Sequence, residues 1–571
     1  MTLLDVRSGS APPACAGGSR GLVRWVCTSN PFYVLSALLV CLGLWVSFGA
    51  QGDAAQTWAL LVGMAGYTLL LAVTACLLVR FVGVWDDVRT VLLLVVLMFL
   101  ATSVTFDDVL ARSPARGIAC YLGGLLLSVA VSEGILRSIR LSLPPLFRAP
   151  YYAILALFFL YPVALTPLLD QPRSEALAWA MFGFSTAAGL VFLTLLPAIR
   201  RGRDYVCENG SPWGWAWYPW TLFGVLGFGV AARSALLCWS MHHLPQDLTE
   251  PYIFGPYFLV PFGLAIAALL LEIGLVEQRP GVLRIALGLP VILVLLTMAG
   301  QRTEPLYQWF LERFRARLGG TPLFLTLAAS AGFYTYAAFR RAPRGLDALS
   351  GAMVVLAFVT PDTLDLDGLV PPQALPVLAA ALVQTALGLG RRDAWRCLIG
   401  AGGLVASAML ARGPMGGASD QAPVSFHLIL IAVLVVGAAF DNRLGRILRT
   451  TGAMMVLLGS LVAMMGPVDR IGTVPTWAVE VYPLVMSLMI AVYGFVLGHW
   501  TSLVSAGLIL AGWLAALAGR GYGSLRHVVA GLDYIAIGLV LFILAVLTSM
   551  AKGGVLPWRI VDGSGKPAGS G

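Results

Sequence analysis

Apolar runs about as long as a bilayer is thick recur from one end of this chain to the other. Some 20 apolar residues carry a helix across the hydrocarbon, and the runs here last roughly 16 to 24 residues. They predict spans at about 32–49, 57–79, 90–105, 117–136, 151–169, 176–198, 217–240, 253–275 and 281–299. The series continues at about 321–339, 345–361, 372–389, 394–411, 423–440, 446–466, 478–498, 502–518 and 528–550. The runs at 90–105, 345–361 and 502–518 are the shortest and also fit re-entrant segments. The predicted fold is therefore all-α, a polytopic helical membrane bundle of about 18 transmembrane helices without a soluble domain. Residues 1–31 are expected as an N-terminal segment, 32–550 as one transmembrane region, and 551–571, ending GSGKPAGSG, as a disordered tail.

Composition agrees. Of 571 residues, 59% are hydrophobic and only 11% charged, and the mean hydropathy is +0.85. Soluble proteins carry about 25% charged residues, so a fully water-exposed exterior is excluded.

Charge sets the expected orientation. With the N-terminus inside and the sides alternating, 25 of the 37 basic residues fall on the inner side and 11 outside, while Arg233 lies in a span. The acids lean the other way, so the inner side carries +13 and the outer −4. That is the positive-inside pattern. It predicts a bacterial-type inner (plasma) membrane with both termini cytoplasmic, and it accounts for the net +9 without nucleic acid. The expected contacts are membrane lipids, an anionic or lipid-linked substrate and, in one reading, partners in a membrane complex. The first 30 residues hold no cleavable signal, so the first span is expected to direct insertion. Only Lys552 and Lys566 are lysines, which excludes a membrane-buried catalytic lysine. None of the eight cysteines forms a CxxC pair, so no zinc site or disulfide framework is expected. No cofactor and no metal are predicted.

One stretch stands out, Ser211 to Glu272. It opens SPWGWAWYPW, an aromatic-rich segment suited to the membrane–water boundary. It then enters a span past Gly224, Gly227 and Gly229, reaches Arg233, and leaves through MHHLPQD. An intramembrane arginine is costly unless paired and often functional. Arg233 reads as an anchor for an anionic group, or as one half of a structural ion pair with Asp533 in the last span.

Other candidates lie near the predicted outer face. Asp107 and Asp108 form a carboxylate pair for a divalent ion or general-base chemistry, or simply acidic residues of a solvated loop. Asp362, Asp365 and Asp367 form a second acidic cluster, with the same solvated-loop alternative. An amphipathic helix over about 303–318 is predicted, with Leu306, Phe310, Phe314 and Leu318 on one face, Thr303 as N-cap and Pro305 in the first turn. It is expected to lie flat on the membrane, its Arg313 and Arg317 (with Arg302 and Arg315) near lipid or substrate phosphates. His242, His243, His427 and His527 share this side but match no ligand spacing. On the inner side, Glu133 has Arg137 four residues on. Glu272 lacks such a partner and is expected to snorkel. Nucleotide-binding and hydrolase motifs are absent.

Three functions follow. A transporter or permease for a small or lipid-linked solute would place Arg233, Asp533, His242, His243, Arg313 and Arg317 along its path. A membrane transferase or polymerase on lipid-linked substrates would use Asp107, Asp108 and the 302–317 arginines. A non-catalytic scaffold would show its charges paired off among themselves.

Overall fold

A computed structural model describes residues 32–48, 54–169, 175–207, 209–214, 218–240, 254–298, 304–365, 368–412, 418–465, 476–526 and 531–552. Among them there is no strand, and 16 helices are long and apolar enough to cross a membrane. Two shorter apolar helices, beginning at Phe32 and Gly345, lie within the two remaining predicted spans. The chain is an all-α, multi-pass membrane protein. It divides into two compact units, residues 1–372 and 373–571.

The first unit runs α1 (Phe32–Phe48), α2 (Ala54–Leu77), α3 (Trp85–Arg112), α4 (Pro114–Ser138), α5 (Pro145–Leu169), α6 (Glu175–Leu193), a short α7 (Leu196–Arg200) and α8 (Trp220–Ala235). It closes with α9 (Val260–Val276), α10 (Pro280–Met298), α11 (Pro305–Leu318), α12 (Pro322–Phe339) and α13 (Gly345–Leu356).

Helix α3 corrects the expectation for 90–105. It has 28 residues, about 42 Å at 1.5 Å per residue, and is no re-entrant segment. The apolar run is short because Trp85–Arg89 and Thr105–Arg112, though helical, each carry three charged residues.

The 345–361 run is also not re-entrant. Its helix has only 12 residues, about 18 Å long. The chain then unwinds until the Pro361 carbonyl accepts from the Thr321 backbone N–H at 2.9 Å and the Thr363 carbonyl from Thr321 Oγ1 at 2.6 Å. Thr321 caps the start of α12, so 345–361 covers the same depth as the 18-residue helix before it.

Helix α11 forms where predicted, but Glu304, not Thr303, is its N-cap; Pro305 does occupy the first turn. Its buried face is Tyr307, Phe310, Leu311 and Phe314. Those rings pack on Trp179, Phe182, Phe254 and Tyr257, with Phe254–Phe310 centroids 4.6 Å apart. Leu318 is left exposed. The apolar stripe therefore seals one end of the helix bundle and does not lie on lipid. A helical repeat alone cannot tell protein from membrane as the apolar partner.

The second unit holds α14 (Ala374–Arg391), α15 (Ala394–Arg412), α16 (Ala418–Ala439), α17 (Arg443–Met465), α18 (Thr476–Leu497), α19 (Trp500–Leu525) and α20 (Leu532–Lys552). The predicted 502–518 run is thus the middle of a 26-residue helix, not a re-entrant loop. Lipid gives helices no hydrophobic reason to associate, so close backbone approach must hold them together. In α14–α15, a Cβ on Gly400 would collide with Thr385, and one on Gly403 would sit 2.8 Å from the Ala381 methyl. Ala453, Val456, Ile490 and Ile509 form the centre of the α16–α19 packing.

Candidate functional site

Arg233 is 1% exposed, and its partner is Asp107. Local sequence brings the two together. In α8, Gly229 lets the helix sit on α3, for a Cβ there would strike Leu100 and touch Phe158. One turn further along, the Arg233 guanidinium meets the Asp107 carboxylate end-on. Nη2 donates to Oδ1 at 2.7 Å and Nη1 to Oδ2. The α3–α4 turn is equally tight, since a Cβ on Gly117 would overlap Leu110. That turn delivers Tyr121, whose hydroxyl donates to Asp107 Oδ1 and lies 3.0 Å from the Ser103 carbonyl. Arg233 Nη2 lies 3.4 Å from the same hydroxyl. Bidentate geometry suits guanidinium and carboxylate. Arg233 Nε, buried, has no hydrogen-bond partner.

This placement corrects the solvated-loop reading of Asp107, which is a buried helical residue. The carboxylate of Arg233 is Asp107, not Asp533. Asp533 instead accepts from Tyr522 and lies 3.5 Å from Arg526, inside the second unit. The side chain of Asp108 lies outside the described residues, as do His242, His243, Arg302, Asp367 and His527.

An apolar groove of about 310 Å³ lies beside the cluster, between α2, α3 and α4. Trp58, Thr102, Phe106, Cys120, Gly123 and Phe159 are among its walls. Phe106 and Phe159 pack on Tyr121, at 5.3 and 6.4 Å between centroids, and so separate groove from ion pair. A Cβ on Gly123 would meet nothing within 4 Å.

The helix-α11 arginines are each engaged. Arg313 and Arg317 share Glu175, at 3.5 and 2.9 Å, and Arg315 pairs with Asp362. Asp365 accepts from the Gly368 backbone at 3.1 Å. These arginines therefore do not converge with Asp107.

At the opposite end of the first unit, Glu133 pairs with Arg137 as the sequence predicts, at 3.4 Å, and also with Arg148 and Tyr152. Glu272 does not snorkel: it is fully buried. Arg340 holds it side-on, Nε to Oε1 at 2.7 Å and Nη2 to Oε2 at 2.9 Å. Arg200 lies 3.4 Å from Oε1, and the Tyr336 hydroxyl donates to it. The hydrogen bond to Glu272 holds the Arg340 pKa above its ordinary value. On the same side, burial pushes the Tyr218 phenol upward, and its hydroxyl donates to the Ser142 carbonyl at 3.0 Å.

In the second unit Arg449, counted among the inner-side charges although it lies just inside the predicted 446–466 span, is buried. It donates to the carbonyls of Gly437 at 2.7 Å and Phe440 at 3.1 Å, and to Asp441. Sequence reasoning missed it because three arginines at 443, 446 and 449 look like one solvated cluster. His427 spans the Pro423 carbonyl and the Tyr482 hydroxyl, at 2.6 and 3.1 Å. His499 sits at the start of α19; burial first, and Arg449 second, hold its pKa below the usual histidine value. Among the described residues no three His, Cys, Asp or Glu side chains gather as metal ligands.

No protein-family model, curated protein or solved structure matches this chain.

Proposed function

We propose that this multi-pass membrane protein is a transporter or permease whose cargo is a lipid-linked or otherwise amphipathic anion. The observation that carries the reading is the juxtaposition in the first unit of the buried Arg233–Asp107–Tyr121 cluster with the apolar groove behind Phe106 and Phe159. An apolar tail has a place between α2, α3 and α4. An anionic group has a buried cation to compete for, the guanidinium whose Nε is still without a partner. Displacing Asp107 from Arg233 would loosen α3 from α8, a local change of the kind that lets helices move past one another. The charge asymmetry supports a plasma membrane of bacterial type with both termini cytoplasmic, which would place the Arg233 cluster in the outer half.

The test fills the groove. Gly123→Trp adds bulk into open space, so the protein is expected to purify with unchanged thermal stability. Of the amphipathic anions that co-purify with the wild type, identified by mass spectrometry, at least one is expected to be lost. Equal amounts of the same lipids on both proteins would sink the reading.

A second reading, a non-catalytic scaffold, draws on the pairing of the buried carboxylates Asp107 and Glu272 with arginines inside the chain. It predicts that Gly123→Trp changes nothing, and that neighbouring membrane proteins are captured by in-cell cross-linking.

A further inference from the structure

The cluster around Glu272 is built differently from the one around Asp107. Its carboxylate is fully buried, but the two arginines it holds are not: the Arg200 side chain is 50% exposed and that of Arg340 35%. Arg340 spends Nε and Nη2 on Glu272. Arg200 spends only Nη2, on Glu272 and on Tyr336 at 3.2 Å. Two guanidinium groups are thus fixed on one carboxylate oxygen, with donors left over on their exposed edges. Two cations against one anion leave the cluster one positive charge, the complement of a single phosphodiester.

Its depth narrows the ligand. Arg200 is the last residue of the span that starts at Glu175, and Arg340 directly follows the span ending at Phe339. Glu272 lies one turn before the end of its own span at Val276. All three meet at the ends of apolar spans, the level at which hydrocarbon is expected to give way to headgroups. Arg201, Arg341 and Arg344, exposed nearby in sequence, add to the positive potential. Basic pockets between transmembrane helices at this level take anionic headgroups, and guanidinium forks suit phosphate oxygens.

We propose that Arg200 and Arg340, preorganised by Glu272 and Tyr336, form a binding site for the phosphate of an anionic phospholipid. A buried carboxylate that merely neutralised one arginine would need neither the second nor an open edge. The site is independent of the Arg233 cluster and of any cargo.

The experiment uses the full chain in detergent, titrated with phosphatidylglycerol, phosphatidylcholine or inorganic phosphate, with bound lipid counted by native mass spectrometry. Saturable phosphatidylglycerol binding is expected, with neither phosphatidylcholine nor inorganic phosphate replacing it. At about five-fold per arginine near the surface, Arg200→Gln with Arg340→Gln weakens that binding roughly 25-fold. Arg443→Gln, an exposed arginine of the second unit, leaves it within about two-fold. If the double variant does not purify as a monodisperse protein, Arg200→Gln alone is expected to cost about five-fold. Unchanged affinity in the arginine variants would overturn the site. So would an equal loss in Arg443→Gln, or inorganic phosphate competing as well as the lipid.

Discussion

Arg233 in the first unit and Arg449 in the second are both buried, yet they are neutralised by different means. Arg233 has a carboxylate, Asp107, enclosed with it. Arg449 leans on backbone: the carbonyls of Gly437 and Phe440, at the end of α16, accept its hydrogen bonds. The negative end of a helix dipole supports that arrangement. Its acidic partner, Asp441, is 91% exposed. A buried arginine can thus be held either by a full charge, which becomes a liability if its partner goes, or by dipoles that no side-chain substitution removes.

The difference can be broken by substitution. The largest effect is expected from Asp107→Ala, which strands the Arg233 guanidinium in an apolar interior and costs about 3–5 kcal/mol. Thermal unfolding in detergent reads it. The double variant Asp107→Ala with Arg233→Met should recover much of the loss, and a double variant no better than the single would refute the pairing. Next comes Arg449→Ala. It leaves two carbonyls without their charged donor, about 1.5–3 kcal/mol for a hydrogen bond of this kind. Asp441→Ala should stay within about 0.5 kcal/mol, as for exposed ion pairs. If Asp441→Ala matched Asp107→Ala, the distinction between the two arginines would collapse.

The smallest effect is a titration. Because the folded protein lowers the His499 pKa, it favours the neutral ring. The stability this contributes is present above the unfolded value of about 6.5 and is lost as pH falls from there toward the folded value. Burial is the larger cause and Arg449 the smaller. Histidine NMR of Arg449→Gln should therefore show the His499 midpoint moving up while remaining below the ordinary value. A midpoint that does not move would detach His499 from Arg449.

The order of the spans, and 16 of the 18 read from the sequence, could be taken directly from it, because crossing hydrocarbon demands a long apolar run whatever the neighbours. Arg233 was legible for the same reason: one charge in such a run is conspicuous. Asp107 was not, because α3 continues as helix past its apolar stretch, and Phe106–Asp107–Asp108 resembles the start of a loop. Tyr121 carried no signal beyond an aromatic residue in a span. Glu272 misled, since its partners Arg200 and Arg340 lie 72 and 68 residues away. No local pattern encodes such a distance.

By itself, the sequence determined that this chain is all-α and repeatedly threads a membrane, because the cost of exposed peptide groups in lipid leaves few alternatives. Tertiary structure alone decided which charges meet. Once every helix is apolar, hydropathy no longer says which faces touch, and that falls to close packing at residues such as Gly117 and Gly229. Those two contacts set Asp107 against Arg233, and with them the place where a functional reading of this protein begins.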